Sequence, residues 1–199
     1  SLKKSSLANY CDNISQGAQI ILTNLNRAIN QIENFKLVAV DQSMDIVRQL
    51  DIKRYIESII TTMSPKLKSN EVHLISNIED NCLATTYPGA LSQVLTNLID
   101  NSIIHGFTDE QSSEINIDIT KSDNQLVIIY TDNGQGISSE VINKIYEPFY
   151  TSKRGQGGSG LGMHIVYNLI TSQLGGKIIC TSELGRGTQF EISIALIEN

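Results

Sequence analysis

Gln93, Asn97, Asn101 and His105 follow one another at intervals of four, while Leu91, Val94, Leu95, Leu98 and Ile99 supply the apolar positions between them. On a helix this spacing gathers the polar groups on one stripe and the apolar ones on another. Asparagine is a middling helix former because its amide competes with the backbone, so two of them a turn apart in a helix interior need a reason. One reason is a solvated face. The other is chemistry: amide oxygens are hard, neutral ligands that suit a Mg²⁺ which keeps some of its waters and bridges phosphates, and they add no negative charge beside a polyphosphate.

Asp132-Asn133-Gly134-Gln135-Gly136-Ile137 forms a second candidate cluster. A carboxylate at the end of a strand could accept a hydrogen bond from the exocyclic amine of adenine, and the glycines would let backbone approach the ring edge. An ordinary turn after a strand has the same composition.

The third cluster is Gly155-Gln156-Gly157-Gly158-Ser159-Gly160-Leu161-Gly162, which opens directly into an apolar segment running to Leu174. A glycine-rich entry to a helix offers free N–H groups and a positive helix end to an anion such as phosphate, or is simply a flexible loop. Gly155-x-Gly157-x-x-Gly160 has the letters of the dinucleotide fingerprint but follows Glu147 to Arg154 rather than a strand. No Lys follows the glycines as a P-loop requires, and the H-R-D and D-F-G elements of protein kinases are absent. Lys153 and Arg154 either reach phosphates or are solvated.

The elements that must position these clusters are readable from periodicity and punctuation. Leu7 to about Phe35 has apolar residues at helical spacing and no proline, which predicts one long amphipathic helix. A linker around Val38 to Met44 leads to a short strand at Ile46 to Leu50. Asp51 caps a helix from Ile52 to about Met63 or Leu67. Val72 to Ile78 is a strand, and Pro88 opens a helix that reaches Ile104 and stops at Gly106. Ile115 to Thr120 and Leu126 to Tyr130 alternate around Ser122-Asp123-Asn124 as a hairpin. A helix near Ser139 to Ile145, another from about Leu161 to Leu174, and strands at Lys177 to Ser182 and Thr188 to Ala195 complete the pattern. The expected class is α+β, a two-layer sandwich with a mixed sheet covered by helices on one face. Residues 1–42 form the long helix and linker, and 43–199 the globular domain.

Composition narrows the function. With 199 residues there is room for one well-buried domain and an appendage. The 40% hydrophobic content contains no unbroken apolar run long enough to span a bilayer. Cys11, Cys82 and Cys180 are widely spaced and odd in number, against a disulfide framework or zinc site and in favour of a reducing, cytoplasmic setting. A net charge of −6 with no basic cluster argues against nucleic acid as a partner.

In their order and spacing the clusters resemble the boxes of the histidine-kinase branch of the Bergerat-type ATPases. Leu91 to Ser102 is similar to the N box, Asp132 to Ile137 to the G1 box, and Tyr146-Glu147-Pro148-Phe149 to the F box. Gly158 to Met163 is similar to the G2 box, and Gly187-Thr188-Gln189-Phe190 to the closing G-T-x-F. The resemblance implies a protein-histidine kinase domain that binds ATP and Mg²⁺. Asn101 would ligate the metal with help from Asn97. Asp132 would read adenine, with Gly134 and Gly136 admitting the base and Ile137 in the same box. Ser159, Gly160, Leu161 and Gly162 would face the phosphates, and Thr188 would join the adenine end. At Ile104 many members carry a basic residue, and His105 would supply the phosphate contact instead unless it is only a helix-terminal residue. The N-terminal helix resembles the second helix of a dimerisation and phosphotransfer hairpin, and Phe35 to Gln42 resembles the junction found in some bacterial hybrid sensor kinases. The histidines His73, His105 and His164 lack the acceptor context. The expected partners are therefore a phosphoacceptor helix outside this chain, a response-regulator receiver domain and, in the intact kinase, a second copy. Two other readings stand beside this one: a Bergerat-type ATPase driving a conformational cycle, and a nucleotide-binding scaffold or sensor without kinase activity.

Overall fold

The computed structural model describes residues 13–26, 47–108, 112–122, 124–153 and 158–197. The chain divides into two compact units, Ser1–Ser43 and Met44–Asn199. In the first, residues 13–26 form helix α1, which exposes Ile14, Ile20, Ile21, Leu22 and Leu25. The remainder of the expected helix from Leu7 to Phe35, and the linker after it, lie outside the described residues.

The second unit opens with strand β1, Arg48–Asp51, and helix α2, Ile52–Ser69. The Asp51 side chain accepts a hydrogen bond from the Arg54 backbone N–H, satisfying one of the free donors of the first turn. Helix α2 runs on through Pro65 and buries Ile52, Ile56, Ile59 and Leu67. Strand β2 is Val72–Ile78, and a strand with no counterpart in the sequence reading, β3, Leu83–Thr86, pairs antiparallel with β1. Helix α3, Pro88–Asn101, continues as a π turn over Ser102–Gly106. Strands β4, Ser113–Ser122, and β5, Gln125–Asp132, form the expected hairpin. Helix α4, Gly162–Asn168, widens into a second π turn, Leu169–Gln173, before strands β6, Lys177–Ser182, and β7, Thr188–Ala195.

Among the described residues, the large sheet has the order β2-β4-β5-β7-β6, with β2 parallel to β4 and the other neighbours antiparallel. It is the mixed sheet expected of an α+β sandwich. Alternation at period two sends Ile115, Ile117 and Ile119 of β4, Leu126, Ile128 and Tyr130 of β5, and Phe190, Ile192 and Ile194 of β7 to one face, where all are buried. The apolar stripe of α3, from Leu91 to Ile99, is buried in the same core. At roughly 1.5–3 kcal/mol for each fully buried aliphatic side chain, this stripe fixes the rotation of α3 and hence the direction of its asparagine stripe.

The helix expected near Ser139 to Ile145 is not formed. Residues 138–150 instead run through successive turns: Val141 N–H and Ile142 N–H both donate to the Ser138 carbonyl, then Lys144 to Val141 and Glu147 to Lys144. Pro148 offers no N–H to extend such a ladder, and the segment buries too few side chains to impose one.

The β6–β7 turn shows how tightly this frame is fitted. Gly187 has φ +80°, and a Cβ there would strike the Asp132 carbonyl. Gly187→Ala is expected to cost about 2 kcal/mol or more, from backbone strain plus displacement of the β5 end. Urea unfolding with unchanged midpoint would contradict that expectation.

Candidate functional site

Asp132 occupies the last inward position of β5, two residues after Tyr130, so the alternation that builds the core also carries a carboxylate into its end. Register places Ile115 of β4, Asp132, Thr188 of β7 and Ser182 of β6 in one row across four strands. Asp132 is only 4% exposed. Its Oδ1 accepts from the backbone N–H groups of Gly134 and Thr188, each at 3.1 Å, and its Oδ2 from the Ser102 hydroxyl at 2.7 Å. Burial pushes the carboxyl above the usual aspartate range, while the hydrogen bonds from Ser102, Gly134 and Thr188 pull it back down.

The π turn after α3 brings the helix end onto this carboxylate. A Cβ on Gly106 would lie 3.7 Å from both Asp132 oxygens, and the Gly106 carbonyl accepts from Gln135 N–H at 2.8 Å. π turns recur at functional sites because they re-aim a helix by one residue. Gly134 is required by this packing, since its Cβ would lie 2.5 Å from the Gly106 carbonyl. Gly136, with φ +71°, is likewise crowded by the Glu183 carbonyl. Neighbouring backbone thus crowds the Cβ side of both glycines. Ile137 N–H donates to Ser182 Oγ at 2.8 Å, and Ser182 Oγ donates to the Gly187 carbonyl at 2.6 Å and lies 3.1 Å from Thr188 Oγ1. Ile137, Thr188 and the G-T turn are thus tied to the Asp132 row through Ser182.

The asparagine stripe meets the glycine segment at Gly162. A Cβ there would lie 3.2 Å from Asn97 Oδ1 and 3.4 Å from Asn101 Oδ1. Asn97 Nδ2 donates to the Gln93 carbonyl at 2.8 Å, which leaves its oxygen turned towards Gly162. Asn101 Nδ2 is buried and has no hydrogen-bond partner. Such a group costs about 1–3 kcal/mol, and a native fold carrying one at a convergence of polar groups calls for a ligand or a water there.

Gly160 approaches the backbone of Phe149, and Leu161 N–H donates to Ser159 Oγ at 3.3 Å. Leu161 is buried. His105 contacts Ser152 Oγ through Nδ1 at 3.3 Å, and a Cβ on Gly158 would lie 3.2 Å from its Nε2. Burial, and then the charge of Lys153, lower the His105 pKa, so its imidazole is neutral at pH 7. Lys153 N–H donates to Thr151 Oγ1 at 3.2 Å. Arg154 to Gly157 lie outside the described residues. The described site residues thus fall into one group around Asp132 and one around Asn97, Asn101 and Gly162, joined by the α3 end, with His105 set against Ser152 and Gly158. Ser102 and Ser182 were missed from sequence. For Ser182 the inward alternation of β6 is the available signal, and for Ser102 there is only its place beside Asn101.

The other histidines are accounted for separately. His73 is exposed on β2. His164 lies between the Tyr146 carbonyl at 3.1 Å from Nδ1 and Asn168 Nδ2 at 3.0 Å from Nε2, which makes it a structural clasp between the F-box segment and α4.

Residues 86–198 match the family model described as histidine kinase-, DNA gyrase B-, and HSP90-like ATPase. The chain belongs to this family. Among curated members, it is 31% identical over 210 aligned positions to the sensor protein GacS of Pseudomonas syringae, covering 98% of this chain and 22% of that protein. It is 36% identical over 135 positions to the autoinducer 2 sensor kinase/phosphatase LuxQ of Vibrio cholerae, covering 65% of this chain and 15% of that one. The chain therefore spans less than a quarter of either of these family members. The histidine kinase ThkA, solved in complex with the response regulator protein TrrA, shares the family fold. Its TM-score is 0.72 at 18% identity, with 92% of this chain and 52% of that one aligned. No helix among the described residues is long and apolar enough to cross a membrane.

Proposed function

We propose that this domain binds ATP with Mg²⁺ and, within a longer sensor kinase, presents the γ-phosphate to a histidine on a helix outside this chain. The observation that carries the reading is the meeting of Asn97 Oδ1 and Asn101 Oδ1 at Gly162, where a side chain would close the gap, with the unpartnered Asn101 Nδ2 left to donate to a phosphate oxygen or a water. Hard, neutral amide oxygens fit Mg²⁺ beside a polyphosphate, so Asn101 would hold the ion with Asn97 beside it. When bound, the ion would supply neutralisation of phosphate charge beside these residues. The chain's own groups do the rest. Asp132 accepts the adenine amine, Thr188 and Ile137 frame that end, and Ser159 to Gly162 line the phosphate end. Lys153 and the neutral His105 flank the same end and can donate hydrogen bonds to phosphate oxygens. Such a site acts by positioning and charge neutralisation, with the base for the acceptor supplied from the acceptor side. Helix α1, with its exposed isoleucines and leucines, suits the second helix of a hairpin that pairs with a further helix and with a second copy. The response-regulator receiver domain is the expected acceptor downstream.

The raised pKa of Asp132 gives the binding reaction a signed pH dependence. The carboxylate must be ionised to accept the amine at full strength, so ATP affinity should fall as pH drops through the raised value. Stability runs the other way: the folded chain takes up this proton more readily than the unfolded one. That contribution is present at low pH and is lost as pH rises through the raised value. The lowered pKa of His105 opposes this stability contribution as pH drops, so the test compares the chain with Asp132→Asn. From neutral to mildly acidic pH the unaltered chain should lose ATP affinity in calorimetry while gaining stability relative to the variant in thermal melts, and a relative loss of stability would contradict the assignment.

Radiolabelled ATP added to this chain, with and without a separate hairpin carrying an acceptor histidine, tests the kinase reading. Label should appear on the hairpin only when both are present. Steady hydrolysis by the chain alone, with no label transferred, would favour an ATPase cycle.

A further inference from the structure

We propose that Ser102, oriented by Tyr130, is a positioning residue that aims Asp132 and sets the preference for adenine over 6-oxo purines. The inference deepens the reading of Asp132 as the purine-amine acceptor and rests on it.

Donor and acceptor counting leaves little freedom. Oδ1 of Asp132 already receives two backbone N–H groups, from Gly134 and Thr188. A carboxylate offers about four lone-pair sites, two on each oxygen, so Oδ1 is full. Oδ2 receives one donor, Ser102 Oγ at 2.7 Å, and keeps one site. The Ser102 hydroxyl has a single hydrogen, and an ionised carboxylate can only accept, so that hydrogen points to Oδ2. Tyr130 OH lies 2.8 Å from Ser102 Oγ and is buried with it. The tyrosine must therefore donate to the serine. Its proton is firmly held, because burial raises its pKa well above the usual tyrosine value. The relay runs one way, from Tyr130 to Ser102 to Asp132, and the last lone pair of Oδ2 is fixed in direction.

One lone pair of fixed direction accepts one N–H. The 6-amino group of adenine supplies it, whereas hypoxanthine and guanine present a carbonyl oxygen that faces the carboxylate unfavourably. Without the serine hydroxyl, a water in its place can rotate, leaving Oδ2 free to receive the water and turning the water towards either kind of base. Discrimination is then lost even though Asp132 remains. Sequence alone hides this role, since Ser102 follows Asn101 on the helix and meets its partners only through β5.

Titration of the chain with Mg²⁺ and either ATP or ITP isolates the base end, because the phosphates and the metal are common to both. The intact chain is expected to prefer ATP. Ser102→Ala should lower the ATP:ITP affinity ratio by about tenfold, mainly through weaker ATP binding. Ser102→Cys, nearly isosteric and only a weak donor, should shift the ratio the same way and keeps the test open if the alanine variant fails to fold. Ser102→Thr, which retains the hydroxyl, should restore the ratio to within about threefold. Equal weakening of ATP and ITP in the alanine and cysteine variants would mean a purely structural serine and would overturn the proposal. If the unaltered chain does not distinguish ATP from ITP, the reading of Asp132 itself fails, and the proposal falls with it.

Discussion

Asp132→Asn should weaken ATP binding by about one to two orders of magnitude, the effect of disrupting a buried hydrogen bond worth on the order of 1–3 kcal/mol. Three donors converge on this side chain: Gly134 N–H, Thr188 N–H and Ser102 O–H. An asparagine can satisfy the two backbone donors only by placing its oxygen where Oδ1 lies. Its NH₂ then takes the Oδ2 position and turns a donor towards the adenine amine. The same NH₂ suits a 6-oxo purine, so the loss for ATP should exceed the loss for ITP. Paired titrations of the two nucleotides check both the size and the direction of the change. Unchanged ATP affinity would remove Asp132 from the base-reading role.

Asn101→Ala is expected to abolish most of the gain in ATP affinity that Mg²⁺ provides while leaving the metal-free affinity nearly unchanged. Loss of a residue that merely supports a metal ligand typically costs ~10–100-fold in metal affinity, and loss of a ligand should cost no less. The same substitution removes a buried amide nitrogen that lacks a partner. The apo chain should therefore be as stable as before or slightly more so, because an unsatisfied buried donor is destabilising. Binding lost without stability lost is the signature of a group kept for a ligand. Titration with ATP in Mg²⁺ and in chelator, together with a thermal melt, separates the two effects. A destabilised apo chain with intact Mg²⁺ dependence would assign Asn101 a structural role instead.

Features set by local pattern were legible in the sequence. Asp51 as the cap of α2, Pro88 as the first residue of α3, and the limits of β2, β6 and β7 agree with the structure. Each depends on side-chain period or on one residue's backbone chemistry. What was not legible depends on distant partners. Leu83–Thr86 is only four residues long and is a strand because β1 lies beside it. The turns near Ser139 to Ile145 have helix-like spacing, but the chain there buries too little to hold a helix. The two π turns each insert one extra residue, which barely alters an apolar pattern, yet the first of them carries Ser102 and Gly106 to Asp132. Gly134 and Gly136 sat in a motif and could be read as room for a base. In the structure, neighbouring backbone crowds the Cβ side of both. The asparagine stripe, by contrast, was visible from spacing alone, because burial of the opposite face of α3 dictates where it points.

Calorimetric titration of the chain with ATP and ADP, with and without Mg²⁺ and beside a GTP control, tests the central claim most directly. The expected result is binding of both adenine nucleotides, tightened by Mg²⁺ for ATP, with GTP much weaker. Absence of binding under every condition, or GTP bound as well as ATP, would contradict a base pocket at Asp132 and a metal-nucleotide site at Asn97, Asn101 and Gly162.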